Sequence, residues 1–551
     1  MKPRRIKILP VILVILSFAF ISCKKEANNV KVTQEQFEYP VLKSKPYNHV
    51  LLLELHPKDS TKPLSLTEVT LDFGKETVLE DIQSIDLFYV GAKNTFIKKG
   101  SKLFASSDEI KSKMRLEGDL ELSGASHFFW VSLKLKDQAD ISHKLNVSCE
   151  SVVTDTGITQ LDSLEDTKSL RMGVAVRKHN DDGLHTYRIP GLIRSNKGTL
   201  IACYDVRRDT GRDLQGNIDI GISRSLDGGN TWEPMQIAMD MKEYGGLPEK
   251  FNGVSDASLL VDRKSGDIYL AGLWMHGVIN KEGQWVEGLT EDSEDWNHQW
   301  KNKGSQPGFG LKQTSQFLIS KSSDDGKTWS TPVNITKMCK KEQWWLFAPA
   351  PGNGITMQNG TLVFPTQGRD ENGKAFSNIT YSEDGGKTWI TSNPSYTNTT
   401  ECAVVELDPG VLMLNMRDNR NREDKSDTNG RAVYVTSDMG NSWDEHPSSH
   451  KLLPEPVCMA SLFKFETEDS SLLLFSNPNT KQGRDNITLK ASLDKGSSWN
   501  DKHQVLLDQG KGRGYSSITQ VDESYVGILY ESSQADMTFQ KIPLSEIINE
   551  K

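Results

Sequence analysis

From residue 30 to residue 170, apolar and polar positions trade places in short runs. "HVLLLEL", "LTEVTLDF", "SIDLFYV", "HFFWVSLKL" and "LNVSCESVV" are seven to nine residues long and bounded by Gly, Asp, Asn and Lys. Some alternate and others are almost wholly apolar; both are strand patterns. Strands at this spacing predict a β-sandwich. Its aromatic residues leave two uses open. Trp130 or Tyr89 could stack on sugar rings, as in a carbohydrate-binding module, or the aromatics fill the core. Nothing in this region points to catalysis.

From about residue 171 a repeat sets in. "SLDGGNTW" ends at Trp232, "SSDDGKTW" at Trp329, "SEDGGKTW" at Trp389, "TSDMGNSW" at Trp443 and "SLDKGSSW" at Trp499. All five fit S/T-x-D-x-G-x-T/S-W. The last four tryptophans stand 60, 54 and 56 residues apart, which suits one four-stranded propeller blade. The first interval is 97, leaving room for an insert of roughly forty residues. The box reads as a turn. Asp accepts from backbone N–H groups a few residues on, Gly permits positive φ, and Trp covers the hairpin. It lacks the ligands and spacing of a calcium loop, so no metal is expected. The five boxes, the unboxed stretch 505–545 with "YVGILYE", and "MGVAVRK" to close the ring predict six blades. The expected fold is all-β: a six-bladed β-propeller preceded by a β-sandwich.

Composition narrows the partners. The chain has 551 residues, 25% charged and 36% hydrophobic, ordinary for soluble domains with large cores. A net charge of −9 without a basic stripe argues against nucleic acid. Cys23, Cys149, Cys203, Cys339, Cys402 and Cys458 are scattered, so neither a disulfide framework nor a zinc site is expected. At the start, "MKPRRIK" is basic and "ILPVILVILSFAFIS" is apolar but short for a bilayer span. It ends in "FISC" before the polar "KKEANN". This resembles a bacterial lipoprotein signal, which implies lipid attachment at Cys23. Phe20 stands where that pattern usually has leucine, so ordinary secretory cleavage is the alternative. Both predict an exported protein, in the periplasm or at the outer membrane or cell surface. The expected segments are 1–23, signal; 24–170, sandwich; and 171–551, propeller.

"HTYRIPGLIRSNKGTLIACYDVRR", residues 185–208, poses a chemical question. Arg188 sits in a run that otherwise reads as buried strand, where a guanidinium is costly without an anion. The boxes are similar to the aspartate boxes of bacterial neuraminidases, and "YRIPGL" resembles the F/Y-R-I-P motif of the exo-sialidase family. The resemblance covers about residues 171–545. It implies that Arg188, Arg417 in "LMLNMRDNR" and Arg484 in "NTKQGRDNITLK" grip the carboxylate of a sialic acid. Planar forks suit that anion.

The same resemblance implies further roles. Glu531 in "GILYESS" steadies Arg188. Tyr515 in "GRGYSSI" is the nucleophile, and Glu401 in "NTTECAVVEL" takes its proton. Asp213, 25 residues after Arg188, is the acid/base, with Asp209 as rival. Arg207, or else Arg208, lies near the sugar 4-hydroxyl. Asp256 in "NGVSDASLL" either binds that hydroxyl or caps a turn. Trp274, Trp285, Trp296 and Trp300 either line a pocket or pack within the insert, and Gln367 is a rim candidate.

The implied activity is that of a retaining exo-α-sialidase acting on sialylated glycans without a cofactor. The alternatives are a trans-sialidase and a non-catalytic glycan-binding propeller.

Overall fold

The computed structural model describes residues 29–95, 100–162, 168–214, 216–246, 248–277, 305–311, 313–468 and 470–548. Cys23, Trp285, Trp296 and Trp300 lie outside the described residues.

Two antiparallel sheets face each other at the start of the chain. One orders Val30–Glu35, Asn48–Pro57, His127–Leu135, Ile82–Gly91 and Lys102–Ser107. The other orders Gly157–Gln160, Val147–Thr154, Leu64–Phe73 and Lys113–Leu122. Within Lys113–Leu122 the side chains Met114, Leu116, Leu120 and Leu122 are buried and their neighbours lie outward, the period of a half-buried strand. Leu51, Leu53, Leu55, Leu71 and Phe129 complete the core between the sheets. Trp130 belongs to the packing alternative. It is buried, touches Phe37 and His49, and donates to the Asn94 carbonyl at 3.0 Å. Tyr89 packs on Phe129 and bonds His127 through its hydroxyl at 3.0 Å.

Six blades then form the propeller, the first two joined into one sheet by the bridge between Ile218 and Gly253. The first blade comprises Thr186–Arg194, Leu200–Arg207, Ile218–Ser225 and Gln236–Met239. The second comprises Asn252–Val261, Ile268–His276, Gln316–Ser322 and Val333–Asn334. The third is built on Leu346–Pro349, Leu362–Arg369, Ala375–Ser382 and Ile390–Thr391. The fourth has Thr399–Asp408, Val411–Asp418, Ala432–Thr436 and Asp444–Glu445. The fifth has Ser461–Glu466, Ser471–Pro478, Ile487–Ser492 and Gln504–Asp508. The sixth joins Ser516–Gln520, Tyr525–Tyr530 and Met537–Pro543 to Leu170–Arg177, so "MGVAVR" closes the ring. Strands such as Leu200–Arg207 are buried along their whole length because blades stack on both faces.

Each box turns the third strand of its blade into the fourth. In the first, Asp227 accepts from Ser225 Oγ at 2.9 Å, Thr231 N at 2.9 Å and Thr231 Oγ1 at 2.6 Å. The second, around Asp324, repeats those bonds at 2.9, 2.8 and 2.6 Å. Gly229 has φ +96, and a Cβ there would meet the Phe539 ring at 1.9 Å. Only glycine fits both constraints.

The sandwich docks on the box end of the first blade. Lys43 Nζ donates to the Ala139 carbonyl at 3.1 Å and to the Asn230 carbonyl at 2.9 Å. Val41–Lys43 also runs parallel to Leu170–Arg177, adding a short strand to the sixth blade. The five described cysteines are buried and free.

Candidate active site

The chemistry-bearing residues gather at one end of the blades. Arg188 and Glu401 lie near the starts of first strands, Asp256 at a bulge in the middle of one, and Tyr515 directly precedes one. Arg207, Gln367 and Arg417 lie near the ends of second strands, and Glu531 directly follows one. Asp213 and Arg484 occupy loops between second and third strands. The boxes sit at the far end of the third strands. In the first blade Ile218–Ser225 separates the two ends, roughly 25 Å of extended chain.

Arg188 is aimed by a kink. Ile189 has φ +61, a left-handed conformation that β-branched residues avoid, and pairing slips between Arg188 and Gly191. Glu531 holds this strained turn. Its carboxylate accepts from Ile189 N and Tyr515 N, each at 3.0 Å, and pairs with Arg188 Nε. Burial would raise the Glu531 carboxyl, yet Arg188 and the two backbone donors hold it below its ordinary range. A Cβ at Gly191 would meet Cys203 Sγ at 2.6 Å, so glycine is required where the bulge ends.

At the centre stands Tyr515. Its hydroxyl donates to Glu401 Oε1 and accepts from Arg417 Nη1 at 3.1 Å, while Arg417 Nη1 pairs with Glu401 Oε2 at 2.5 Å. The Arg188 and Arg484 guanidinium carbons lie 5.5 and 5.6 Å from the Tyr515 ring centre. Three guanidinium groups therefore surround one phenol. Arg484 is steered by backbone, donating to the Arg513 carbonyl at 2.8 Å and the Val457 carbonyl at 3.5 Å. Arg417 Nε is buried with no hydrogen-bond partner among the described residues. Burial, then the Glu401 charge, keeps the Tyr515 hydroxyl protonated well beyond its ordinary range, against the pull of Arg417. Such a phenol attacks only if a base takes its proton in the same step, and Glu401 is in hydrogen-bond contact.

On the facing side, Arg207 pairs with Asp213 through Nη1 and with Asp205 at 2.9 Å. Arg208 turns away and pairs with Asp219 at 2.5 Å, so Arg207 is the arginine of the pocket. Asp213 leaves 69% of its side chain exposed on its loop, free to meet an incoming group. Asp209 is exposed on the same loop, and the carboxylate that the loop brings to Arg207 is Asp213. Asp256 sits at φ +54 in a bulge and accepts from Gln367 Nε2 at 3.4 Å. Burial, then Glu401, Asp205 and Asp213, pushes its carboxyl far above the usual range. The shift favours its protonated form, the form that can donate to a sugar hydroxyl.

Two supports escaped the sequence reading. Asp205 is fully buried beneath Arg207 and also accepts from Ser255 Oγ at 2.6 Å. Its signal was available: like Arg188, it is a charge inside a buried run, "LIACYDVR". Arg431 and Glu455 form a buried pair at 2.7 Å, and Glu455 accepts from Asp418 N at 2.7 Å, anchoring the residue after Arg417. Trp274 packs instead of lining the pocket, fully buried against Tyr244 with ring centres 4.8 Å apart. Its strand, Ile268–His276, is buried on both faces and turns the ring into the core. Among the described residues no three His, Cys, Asp or Glu side chains are grouped to hold a metal ion.

Comparison with known proteins identifies the family. Residues 189–506 match the family described as "BNR repeat-like domain", and residues 27–157 match "N-terminal domain of BNR-repeat neuraminidase". A sialidase of Bacteroides fragilis is 42% identical over 539 residues, covering 92% of this chain and 94% of that protein. The solved structure of Hadza microbial sialidase Hz136 superposes with a TM-score of 0.84 at 37% identity, covering 93% of this chain and 99% of that one. Trypanosoma rangeli sialidase shares the fold, with a TM-score of 0.52 at 24% identity over 68% of this chain and 60% of its own. The chain belongs to the BNR-repeat sialidases, a family of glycoside hydrolases.

Proposed function

We propose that the protein is a retaining exo-α-sialidase that removes terminal sialic acid from glycans through a tyrosyl intermediate. The observation that carries this reading is the hydrogen-bonded pair Tyr515–Glu401 inside the ring of Arg188, Arg417 and Arg484. A sialoside carries a carboxylate on its anomeric carbon. A carboxylate nucleophile would meet like charge there, and a neutral phenol does not.

In the first step Asp213 gives a proton to the glycosidic oxygen as its bond to the anomeric carbon breaks. Tyr515 forms the new bond, and its proton passes to Glu401. In the second step Asp213 takes a proton from water, whose oxygen displaces the tyrosine; Glu401 returns the proton to Tyr515. Two inversions leave the α configuration. The three arginines hold the substrate carboxylate, and Arg207 with Asp256 serves the sugar hydroxyls.

A 3-fluorosialosyl fluoride tests the chemistry. Fluorine disfavours the oxocarbenium-like transition state and slows breakdown of the adduct, so mass spectrometry should find the label on the peptide containing "GYSSI". Label on Asp213 or Glu401, or turnover with no label, would overturn the mechanism. Product analysis in the presence of lactose separates hydrolysis, the activity proposed, from transfer. We assign 171–551 to the catalytic unit and 24–170 to the sandwich that braces it. Export with a lipid on Cys23 completes the reading; palmitate incorporation that survives Cys23→Ser would remove the anchor.

A further inference from the structure

The turn Gly512–Arg513–Gly514, just ahead of Tyr515, presents one side chain at the mouth of the pocket. A Cβ at Gly512 would meet the Glu531 carbonyl oxygen at 2.5 Å. Gly514 has φ +91, and a Cβ there would meet Pro478 Cγ at 2.9 Å and Cys458 Sγ at 3.0 Å. Both positions are closed to larger residues, and Arg513 between them is exposed. The Arg513 carbonyl is committed inward, accepting from Arg484 Nη1 at 2.8 Å. Its guanidinium lies over the loop that carries Asp213. A Cβ on Gly211 would stand 3.4 Å from Arg513 Nη2 and 3.6 Å from Nη1.

Among the described residues Arg513 shares with Arg484 the lack of a carboxylate partner, but two backbone carbonyls hold the Arg484 guanidinium beside Tyr515. Arg188 has Glu531, Arg207 has Asp205 and Asp213, and Arg417 has Glu401. Among the described residues no carboxylate lies within ion-pair distance of Arg513. Glu531 and Asp536 attract it from further off, but Glu531 is paired with Arg188 and Asp536 is engaged by Tyr187 N at 3.0 Å. Burial, then repulsion from Arg188 and Arg207, lowers its pKa, the sign of a cation short of counter-charge. The carboxylate of the terminal sialic acid belongs to the arginines around Tyr515. Arg513 stands beside the loop of the proton donor, where the leaving group departs.

We propose that Arg513 forms a subsite for an anionic leaving group, a penultimate sugar bearing the carboxylate of a second sialyl unit or a sulfate. The inference rests on the sialidase reading above.

The test compares three substrates sharing one terminal sialic acid: sialyllactose, a 6-sulfated sialyllactose and a disialyl-lactose. For each anionic substrate the ratio of its kcat/KM to that of sialyllactose is measured in wild type, Arg513→Gln and Arg513→Lys. That ratio should fall roughly three- to tenfold in Arg513→Gln, chiefly through KM, the range for one partly exposed ion pair. Arg513→Lys should restore most of it. Raising ionic strength should lower the ratio in wild type and leave it flat in Arg513→Gln. A fall confined to disialyl-lactose assigns a carboxylate, and one confined to the sulfated sugar assigns a sulfate. If Arg513→Gln costs all three substrates the same factor, or none, the subsite is overturned. Wild-type protein that cleaves no sialoside would instead overturn the sialidase reading itself, and this subsite with it.

Discussion

The two ends of the propeller strands place their charges by opposite means. At the box end the third-position aspartate of each box is satisfied within its own turn, by residues two and four positions away. At the pocket end two central pairs join different blades. Tyr515 meets Glu401 across 114 residues, and Arg188 meets Glu531 across 343. The electrostatics follow. Asp324 and Asp438 are lowered to about 2, by turn hydrogen bonds that outweigh burial. Asp205 is pushed up to about 6 and Asp219 to about 7, chiefly by burial. Local turns hold carboxylates as relaxed anions. Near the pocket end, burial beside Arg207 and Arg208 makes Asp205 and Asp219 harder to ionise.

The largest break in this contrast should come from Glu401→Gln. It keeps the shape but removes the base, and a fall in kcat of roughly a thousandfold is expected. Stopped assays with an aryl sialoside would measure it, and a loss below tenfold would strike Glu401 from the mechanism.

Next comes Arg484→Lys, which keeps the charge and loses the fork. A lost charge-assisted bond predicts a fall in kcat/KM of roughly ten- to a hundredfold. An unchanged value would detach Arg484 from the carboxylate.

At the other end, Asp324→Ala removes three hydrogen bonds from a solvent-facing turn and should cost about 1 kcal/mol of stability. Its kcat/KM at 25 °C should stay within about twofold of wild type, because roughly a strand's length separates box from pocket. A selective loss of activity without loss of stability would mean that the boxes do more than build the fold.

The smallest effect is a pH signature. For Asp324 and Asp438 the folded value lies below the unfolded 3.8, so their stabilisation is present above about pH 4 and fades as pH falls towards 2. For Asp205 and Asp219 the folded values lie above 3.8, so the folded state holds protons that the unfolded chain has released. Stability therefore declines as pH rises from about 4 towards 7. Urea midpoints across that range should show both arms. Asp324→Asn should flatten the acid arm and Asp219→Asn the other; the reverse assignment would break the comparison.

The sequence by itself determined what short-range chemistry determines. Each box carries its donors, acceptor and positive-φ glycine within eight residues, so five turns and their blade-length spacing were readable directly. Arg188 was readable as a charge in a buried run, and the same rule would have found Asp205. Only the tertiary structure decided the rest. It aimed Arg188 through a left-handed isoleucine held by Glu531, chose Arg207 over Arg208, and buried Trp274 in a strand covered on both faces. It also gave Arg513 its exposed place between two constrained glycines. These outcomes depend on which side chains meet once residues 170–177 have joined 537–543 and the ring has closed, and such long-range meetings are not written in any local pattern.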